Sequence, residues 1–273
     1  MASKKVAFCT LGCKVNQYET NAMIQEFMKH EYEIVDFEEV ADIYIINTCT
    51  VTNMADRKSR QMIRKVKEIN LDAILVAVGC YAQVAKEELE KIPEIDLILG
   101  TNEKKNIYNL VNDRLKKTDK NNEQVNKVDV TEVLHCEEYA DFGEVTFTEK
   151  TRAVIKVQDG CDRFCSYCII PFARGHIRSR KPENVVSEIT KIARTGIKEV
   201  VITGIHLASY GRDFKENNFR LIDLLEEINK IEGIQRIRLR FIRANFNNKR
   251  ICRKISKIRK NMPTFSFIIT KWM

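Results

Sequence analysis

The sequence predicts an α/β protein in two parts: an N-terminal open parallel sheet with helices on its faces, then the first part of a β/α partial barrel. Three observations carry this. Short apolar, β-branched runs alternate with stretches of helical periodicity, the pattern of parallel strands joined by helices. A polar stretch without sustained period interrupts the alternation near residue 117. The alternation then resumes at residue 152 and runs to residue 239.

Residues 4–10 (KKVAFCT) read as a strand and 15–30 as a helix. Residues 42–47 (DIYIIN), 73–79 (AILVAVG) and 95–99 (IDLIL) read as buried strands, with helices expected over 53–69, 82–91 and 103–116. Residues 117–146, rich in Lys, Asn, Asp and Glu, are expected to form a linker with a short edge strand. RAVIKVQ (152–158) is a strand that runs into a cysteine loop, and Pro182 opens a helix over 182–195. KEVVIT (198–203), a helix at 218–231 and IQRIRL (234–239) complete the pattern. The expected domains are therefore 3–116, the linker 117–146, an incomplete barrel 147–239, and a tail 240–273 of different character.

Composition narrows the class. Hydrophobic residues make up 44% of the 273-residue chain, enough for buried cores. No apolar run approaches the roughly 18 residues of a membrane span, and the N-terminus carries no secretory pattern. A reducing, cytoplasmic setting is expected, in which nine cysteines point to metal rather than disulfides. The net charge of +8 suggests nucleic acid, but residues 240–273 hold ten Lys or Arg and no acid. Without them 36 basic residues face 38 acidic ones, a net of −2.

Cys161, Cys165 and Cys168 stand as C-x3-C-x2-C in GCDRFCSYCIIP. Three thiolates so close suit three irons of a cubane iron–sulfur cluster, which leaves the fourth iron open to a small molecule. A zinc site would need a fourth ligand, for which His176 is the nearest candidate, and no second C-x2-C pair follows. Cys13, Cys49 and Cys80 are distant in sequence, yet each follows a predicted strand, in TLGCKVN, INTCTVT and AVGCYAQ. Parallel strands bring such loops to one sheet edge, where open α/β sheets bind ligands. A second three-cysteine cluster is expected there. Cys9, inside a strand, reads as a small core residue, and Cys136, in the linker, as incidental.

LGCKVNQYE, INTCTVTNMADRKSRQ, VGCYAQ, QDGCDRFCSYCIIPFARGHIRSR and VITGIHLASYG together resemble the methylthiotransferases, radical S-adenosylmethionine (SAM) enzymes with two [4Fe–4S] clusters. The resemblance covers nearly all of residues 4–239, and LGCKVNQYE with ITGIHLASYG is most similar to the threonylcarbamoyladenosine tRNA methylthiotransferases. It implies that residues 147–239 begin a radical SAM domain. It also implies transfer of a methylthio group to carbon 2 of N6-threonylcarbamoyladenosine beside the tRNA anticodon. In that scheme Cys161, Cys165 and Cys168 hold the cluster that cleaves SAM to a 5′-deoxyadenosyl radical. Tyr167 lies against its adenine, and Thr203 and Gly204 approach its methionyl part. Cys13, Cys49 and Cys80 hold the auxiliary cluster that carries the sulfur. The resemblance implies tRNA as substrate and an electron donor such as flavodoxin or ferredoxin as partner. Arg174, Arg178 and Arg180 suit the threonyl carboxylate, RNA phosphate or SAM, the alternative being a solvated or salt-bridged stretch. Two other enzymatic readings are methylthiolation of isopentenyladenosine in tRNA or of a ribosomal-protein aspartate. A reading of another class is a non-catalytic iron–sulfur or electron-transfer module.

After Leu239 the resemblance is expected to stop. The related proteins continue with (G/D)SLEP and then CPHFHLSLQSGC, where this chain has RFIRANFNNKRICRKISKIRKNMPTFSFIITKWM. Read one nucleotide later, the codons of Met262–Pro263 and Trp272–Met273 force Cys and Gly, and Met273 before any stop codon forces Cys. The degenerate codons between them permit the rest of CPHFHLSLQSGC. A frame change near codon 240 is expected, leaving residues 240–273 out of frame and the chain truncated and inactive.

Overall fold

The computed structural model describes residues 3–118, 127–148, 151–215 and 218–240. The tail 241–273 lies outside them, so the expectation about its reading frame is not addressed by the fold. The chain divides into two compact units, one of Met1–His135 with Cys165–Arg174, the other of Cys136–Phe164 with the chain from Gly175 onward.

The first unit is a six-stranded, wholly parallel sheet of β1 (Lys5–Thr10), β2 (Glu33–Val35), β3 (Ile43–Thr48), β4 (Ile74–Gly79), β5 (Leu97–Leu99) and β6 (Val128–Asp129). Their order across the sheet is β2-β1-β3-β4-β5-β6. β3 and β4 are buried at all six positions each, which explains their unbroken apolar runs. Helices α1 (Lys14–Lys29), α2 (Asn53–Ile69), α3 (Cys80–Val84), α4 (Lys86–Glu90) and α5 (Ile107–Thr118) connect the strands. Two apolar clusters line the sheet, one including Tyr44, Ile46, Ile63, Val66 and Leu75, the other Phe27, Ile43, Ile45, Val76 and Val111.

Most expected elements fall within a residue or two of the observed ones, and the short edge strand expected in the linker is β6. The helix expected over 82–91 is instead two short helices broken at Ala85, the first starting at Cys80 itself. β2 was not expected: three half-exposed residues give too little pattern to read.

In the second unit β7 (Ala153–Asp159), β9 (Glu199–Gly204) and β10 (Arg236–Leu239) run parallel, and β8 (Arg178–Ser179) is antiparallel to β7. The order is β10-β9-β7-β8. The register between β7 and β9 shifts between Lys156 and Gln158, a bulge at the end that leads to Cys161. Helices α7 (Pro182–Arg194) and α8 (Leu221–Asn229) bury Val185, Ile189, Ile192, Leu224, Leu225 and Ile228 against these strands. A further short helix, α6 (Ile170–Arg174), packs with the first unit, where the Thr101 hydroxyl donates to the Ala173 carbonyl at 3.0 Å.

Two boundaries differ from expectation. The second half of the expected linker is part of the second unit, strapped down by side chains: Arg180 bonds Asp141 and the Gly143 carbonyl, and the Tyr139 hydroxyl donates to the Lys156 carbonyl at 2.9 Å. The end of the cysteine loop, Cys165–Arg174, packs with the first unit although the sequence continues directly from β7.

Candidate iron–sulfur centres

The strand order of the first unit reverses direction between β1 and β3, the topological switch point where open α/β sheets place their ligands beyond the carboxyl ends of the strands. Cys13 follows β1 as the N-cap of α1, Cys49 follows β3, and Cys80 follows β4 as the first residue of α3. The structure therefore brings the three cysteines to one edge, as the sequence suggested.

Their approach depends on two glycines. Gly12 has φ +95°, and a Cβ there would stand 2.6 Å from the Cys49 sulfur. Gly79 has φ +110°, and its Cβ would meet the Asn47 side-chain oxygen at 2.7 Å and the Thr48 carbonyl at 2.8 Å. Side chains at either position would push the cysteine loops apart. Asn16 ties two of the loops together, donating through Nδ2 to the Leu11 carbonyl at 2.8 Å and the Thr48 carbonyl at 2.9 Å. Thr48 reaches the third strand, its hydroxyl donating to the Val78 carbonyl at 2.8 Å.

Burial pushes the Cys13 and Cys49 thiols up from their ordinary pKa, with Arg174 pulling both back and Cys80 adding repulsion. Cys9 is pushed up to about 11 by burial, consistent with the small core residue expected.

Behind the trio lies a buried charged group that sequence reasoning assigned elsewhere. Arg174 is fully buried. Its Nε donates to the Cys80 sulfur at 3.2 Å, and its Nη2 to Asn16 Oδ1 at 2.6 Å and to Glu19 Oε2 at 3.1 Å. Its Nη1 pairs with Glu19 Oε1, and Lys104, also buried, pairs with Glu19 Oε2. One carboxylate thus meets two cations. Burial pulls the Lys104 pKa down, Glu19 opposes this and Arg174 adds to it. Negative charge is wanted at this spot, and thiolates on an iron–sulfur cluster supply it.

No three His, Cys, Asp or Glu among the described residues stand close enough to hold a single metal ion. A cubane asks for something different, because each thiolate takes its own iron and the sulfurs stand wider apart. The three converging loops, the two glycine-dependent approaches and the excess buried cation fit such a cluster.

The other trio lies on the loop from β7 to the helix Ile170–Arg174. The Cys168 amide donates to the Cys165 carbonyl at 2.9 Å, and the Cys161 amide to the Gly175 carbonyl at 3.0 Å. Gly160 enters this loop at φ +68°, and a Cβ would fall 1.8 Å from the His176 carbonyl. Phe164 also takes positive φ, +42°, which turns the chain into Cys165. His176, the candidate fourth ligand of a zinc site, pairs through Nδ1 with Asp162 at 2.8 Å. Tyr167 is 79% exposed, its ring open to a planar partner.

Beside β7, Thr203 is fully buried, and its hydroxyl has no hydrogen-bond partner among the described residues. Gly204 lies against Gln158, whose Oε1 would be 2.8 Å from a Cβ there. An orphaned hydroxyl and a bare backbone fit a polar ligand such as the methionyl part of SAM. The sequence reading missed Gln158: it accepts from the His206 amide at 2.7 Å and donates to the Gly160 carbonyl at 2.7 Å, joining the ends of β9 and β7. A lone glutamine at a strand end gives no signal in one sequence.

The three arginines expected at substrate are all buried on protein partners. Arg174 faces Cys80 and Glu19. Arg180 bonds Glu188 at 2.7 Å, Asp141 at 3.0 Å and the Gly143 carbonyl at 2.6 Å, and Arg178 reaches the Glu138 carbonyl at 3.4 Å. Long cations in a motif look like anion binders; here folding supplies the anions.

Residues 5–100 match UPF0004, an uncharacterized protein family, and residues 155–268 match the radical SAM superfamily. The second match runs past Leu239, where the resemblance was expected to stop. The chain is 43% identical over 242 residues to a threonylcarbamoyladenosine tRNA methylthiotransferase, MtaB, of Bacillus subtilis, covering 88% of this chain and 52% of that protein. It is 42% identical over 261 residues to the MtaB of Aquifex aeolicus, covering 96% and 62%. A ribosomal protein uS12 methylthiotransferase, RimO, of Desulfitobacterium hafniense is 38% identical, covering 88% and 53%. The chain thus spans about half to three-fifths of these relatives' length. Among solved structures, a radical SAM methyltransferase, TsrM, of Kitasatospora setae with cobalamin and a [4Fe–4S] cluster bound has a similar fold, with TM-score 0.63 and 15% identity over 94% of this chain and 59% of that one. Two cysteine trios on a UPF0004 match followed by a radical SAM match, with these relatives, make the chain similar to the radical SAM methylthiotransferases.

Proposed function

We propose that the protein from which this chain is read transfers a methylthio group to carbon 2 of N6-threonylcarbamoyladenosine beside the anticodon of tRNA. The observation that carries this is the convergence of Cys13, Cys49 and Cys80 at the switch point of the first sheet, in a chain that also carries C-x3-C-x2-C. A protein that only shuttled electrons would not need a second site with an open iron. The two relatives of highest identity, both named for the threonylcarbamoyl nucleoside, favour that substrate over the ribosomal-protein and isopentenyladenosine readings.

When bound, the clusters and SAM supply radical generation and sulfur delivery. The chain's own residues hold and orient them. Cys161, Cys165 and Cys168 would ligate one cluster, and Tyr167 would cover the adenine of SAM. The Thr203 hydroxyl and the backbone at Gly204 would receive its methionyl end, with Gln158 fixing the two strand ends. Cys13, Cys49 and Cys80 would ligate the second cluster. An electron donor such as flavodoxin or ferredoxin and a cytoplasmic setting belong to the same reading. Among the described residues no helix is long and apolar enough to cross a membrane.

Two measurements test this. Anaerobic reconstitution is expected to load about eight iron per chain, halved when Cys161, Cys165 and Cys168 become Ala. Nucleoside analysis of tRNA from a deletion strain is expected to lose 2-methylthio-N6-threonylcarbamoyladenosine alone. Its persistence, with loss of the isopentenyl nucleoside or of the uS12 modification, would move the protein to another branch.

A further inference from the structure

We propose that Arg174 is a positioning residue for the cluster held by Cys13, Cys49 and Cys80, its guanidinium fixing the Cys80 thiolate and raising the cluster's reduction potential. The proposal rests on the reading that this trio holds a cluster. Arg174 lies in a motif that follows the other cysteine trio, so its sequence position points to SAM or substrate. The fold sends it elsewhere. Its side chain is fully buried in the first unit, with Nε 3.2 Å from the Cys80 sulfur.

The rest of the guanidinium is held so that this bond keeps one geometry. Glu19 takes it through both oxygens, and Asn16 Oδ1 accepts from Nη2 at 2.6 Å. Asn16 also binds the Leu11 and Thr48 carbonyls, which lead into the Cys13 and Cys49 loops. One planar fork therefore refers the Cys80 sulfur to the other two loops, which a lysine, a point charge on a flexible stem, would not do. Lys104, which pairs with Glu19 Oε2, leaves the buried group with an excess positive charge. Hydrogen bonds to cluster sulfur and net local charge are among the levers that set cluster potentials. A cation beside the thiolate favours the added electron, so its removal drives the potential negative.

The test uses the whole chain with Cys161, Cys165 and Cys168 replaced by Ala, so that all iron reports on the other trio. Iron content and an EPR-monitored redox titration are read after reconstitution. In this background Arg174→Gln is expected to shift the potential negative and alter the EPR line shape. Lys104→Met is expected to give a smaller shift of the same sign, because it acts through Glu19. Arg174→Lys, which keeps charge but not the fork, is expected to restore the potential toward the parent while leaving the line shape changed. Parent-like potentials and spectra in both Arg174→Gln and Lys104→Met would overturn the proposal. If circular dichroism shows Arg174→Gln unfolded, Arg174→Lys and Lys104→Met decide: a parent-like line shape in the first with a parent-like potential in the second is fatal. A background variant that binds no iron would sink the cluster reading itself, and this proposal with it.

Discussion

At the scale of single residues, the expected gathering at one sheet edge is observed for Cys13, Cys49 and Cys80, while the arginines are buried on protein partners. The candidate cysteines Cys13, Cys49 and Cys80 are legible because they sit at strand ends, which the apolar runs before them reveal. The partners of Arg174, Arg178 and Arg180 lie 8 to 158 residues away in sequence and emerge only on folding. Glycine is the other residue whose role is geometric. Gly160→Ala is expected to destabilise the second unit by at least about 2 kcal/mol, from positive φ and from collision with a backbone carbonyl. Urea denaturation reads this, and an unchanged midpoint would refute the close approach. Cys9 offers a chemical test: with its pKa near 11, its thiol stays protonated at neutral pH. In metal-free protein it is expected to alkylate more slowly than the loop cysteines Cys165 and Cys168, as peptide mapping after iodoacetamide would show.

At the scale of elements, the strands were legible where burial on both faces makes a continuous apolar run, as in β3 and β4, and illegible where two or three residues pair only because a neighbour is present, as in β2 and β8. The strap over residues 138–145 shows the second kind of failure. Its composition is that of a linker, yet Asp141, the Gly143 carbonyl and the Val145 amide meet Arg180 and Glu188. Glu188 and Arg180 are buried together at 2.7 Å. Arg180→Ala would leave that carboxylate without its cation, an expected loss of about 3–5 kcal/mol. It would also release the strap, so limited proteolysis should cut near residues 138–145 in the variant and spare the parent. Cleavage at equal rates in both would show that Arg180 does not hold the segment.

For the whole molecule, the second unit is a sheet of four strands in which β10, the last described strand, pairs on one side only, with β9. Among the described residues no strand pairs with its other edge, an edge that further chain would cover. The amino-acid sequence permits one such continuation. From residue 240 the codons, read one nucleotide later, permit (G/D)SLEP and then CPHFHLSLQS, the continuation expected of the family. The radical SAM match reaches residue 268, past the expected frame change, and weighs against a wholly foreign tail. Removing one nucleotide near codon 240 is expected to yield a longer protein that forms methylthio product on tRNA in a deletion strain. The 273-residue chain, expressed at the same level, is expected to load iron on both trios and to form no product. Iron loading by the 273-residue chain is expected because all six candidate cysteines precede residue 240. Methylthio product from the purified 273-residue chain would show that the barrel strands beyond β10 are dispensable and that the tail is read in its proper frame.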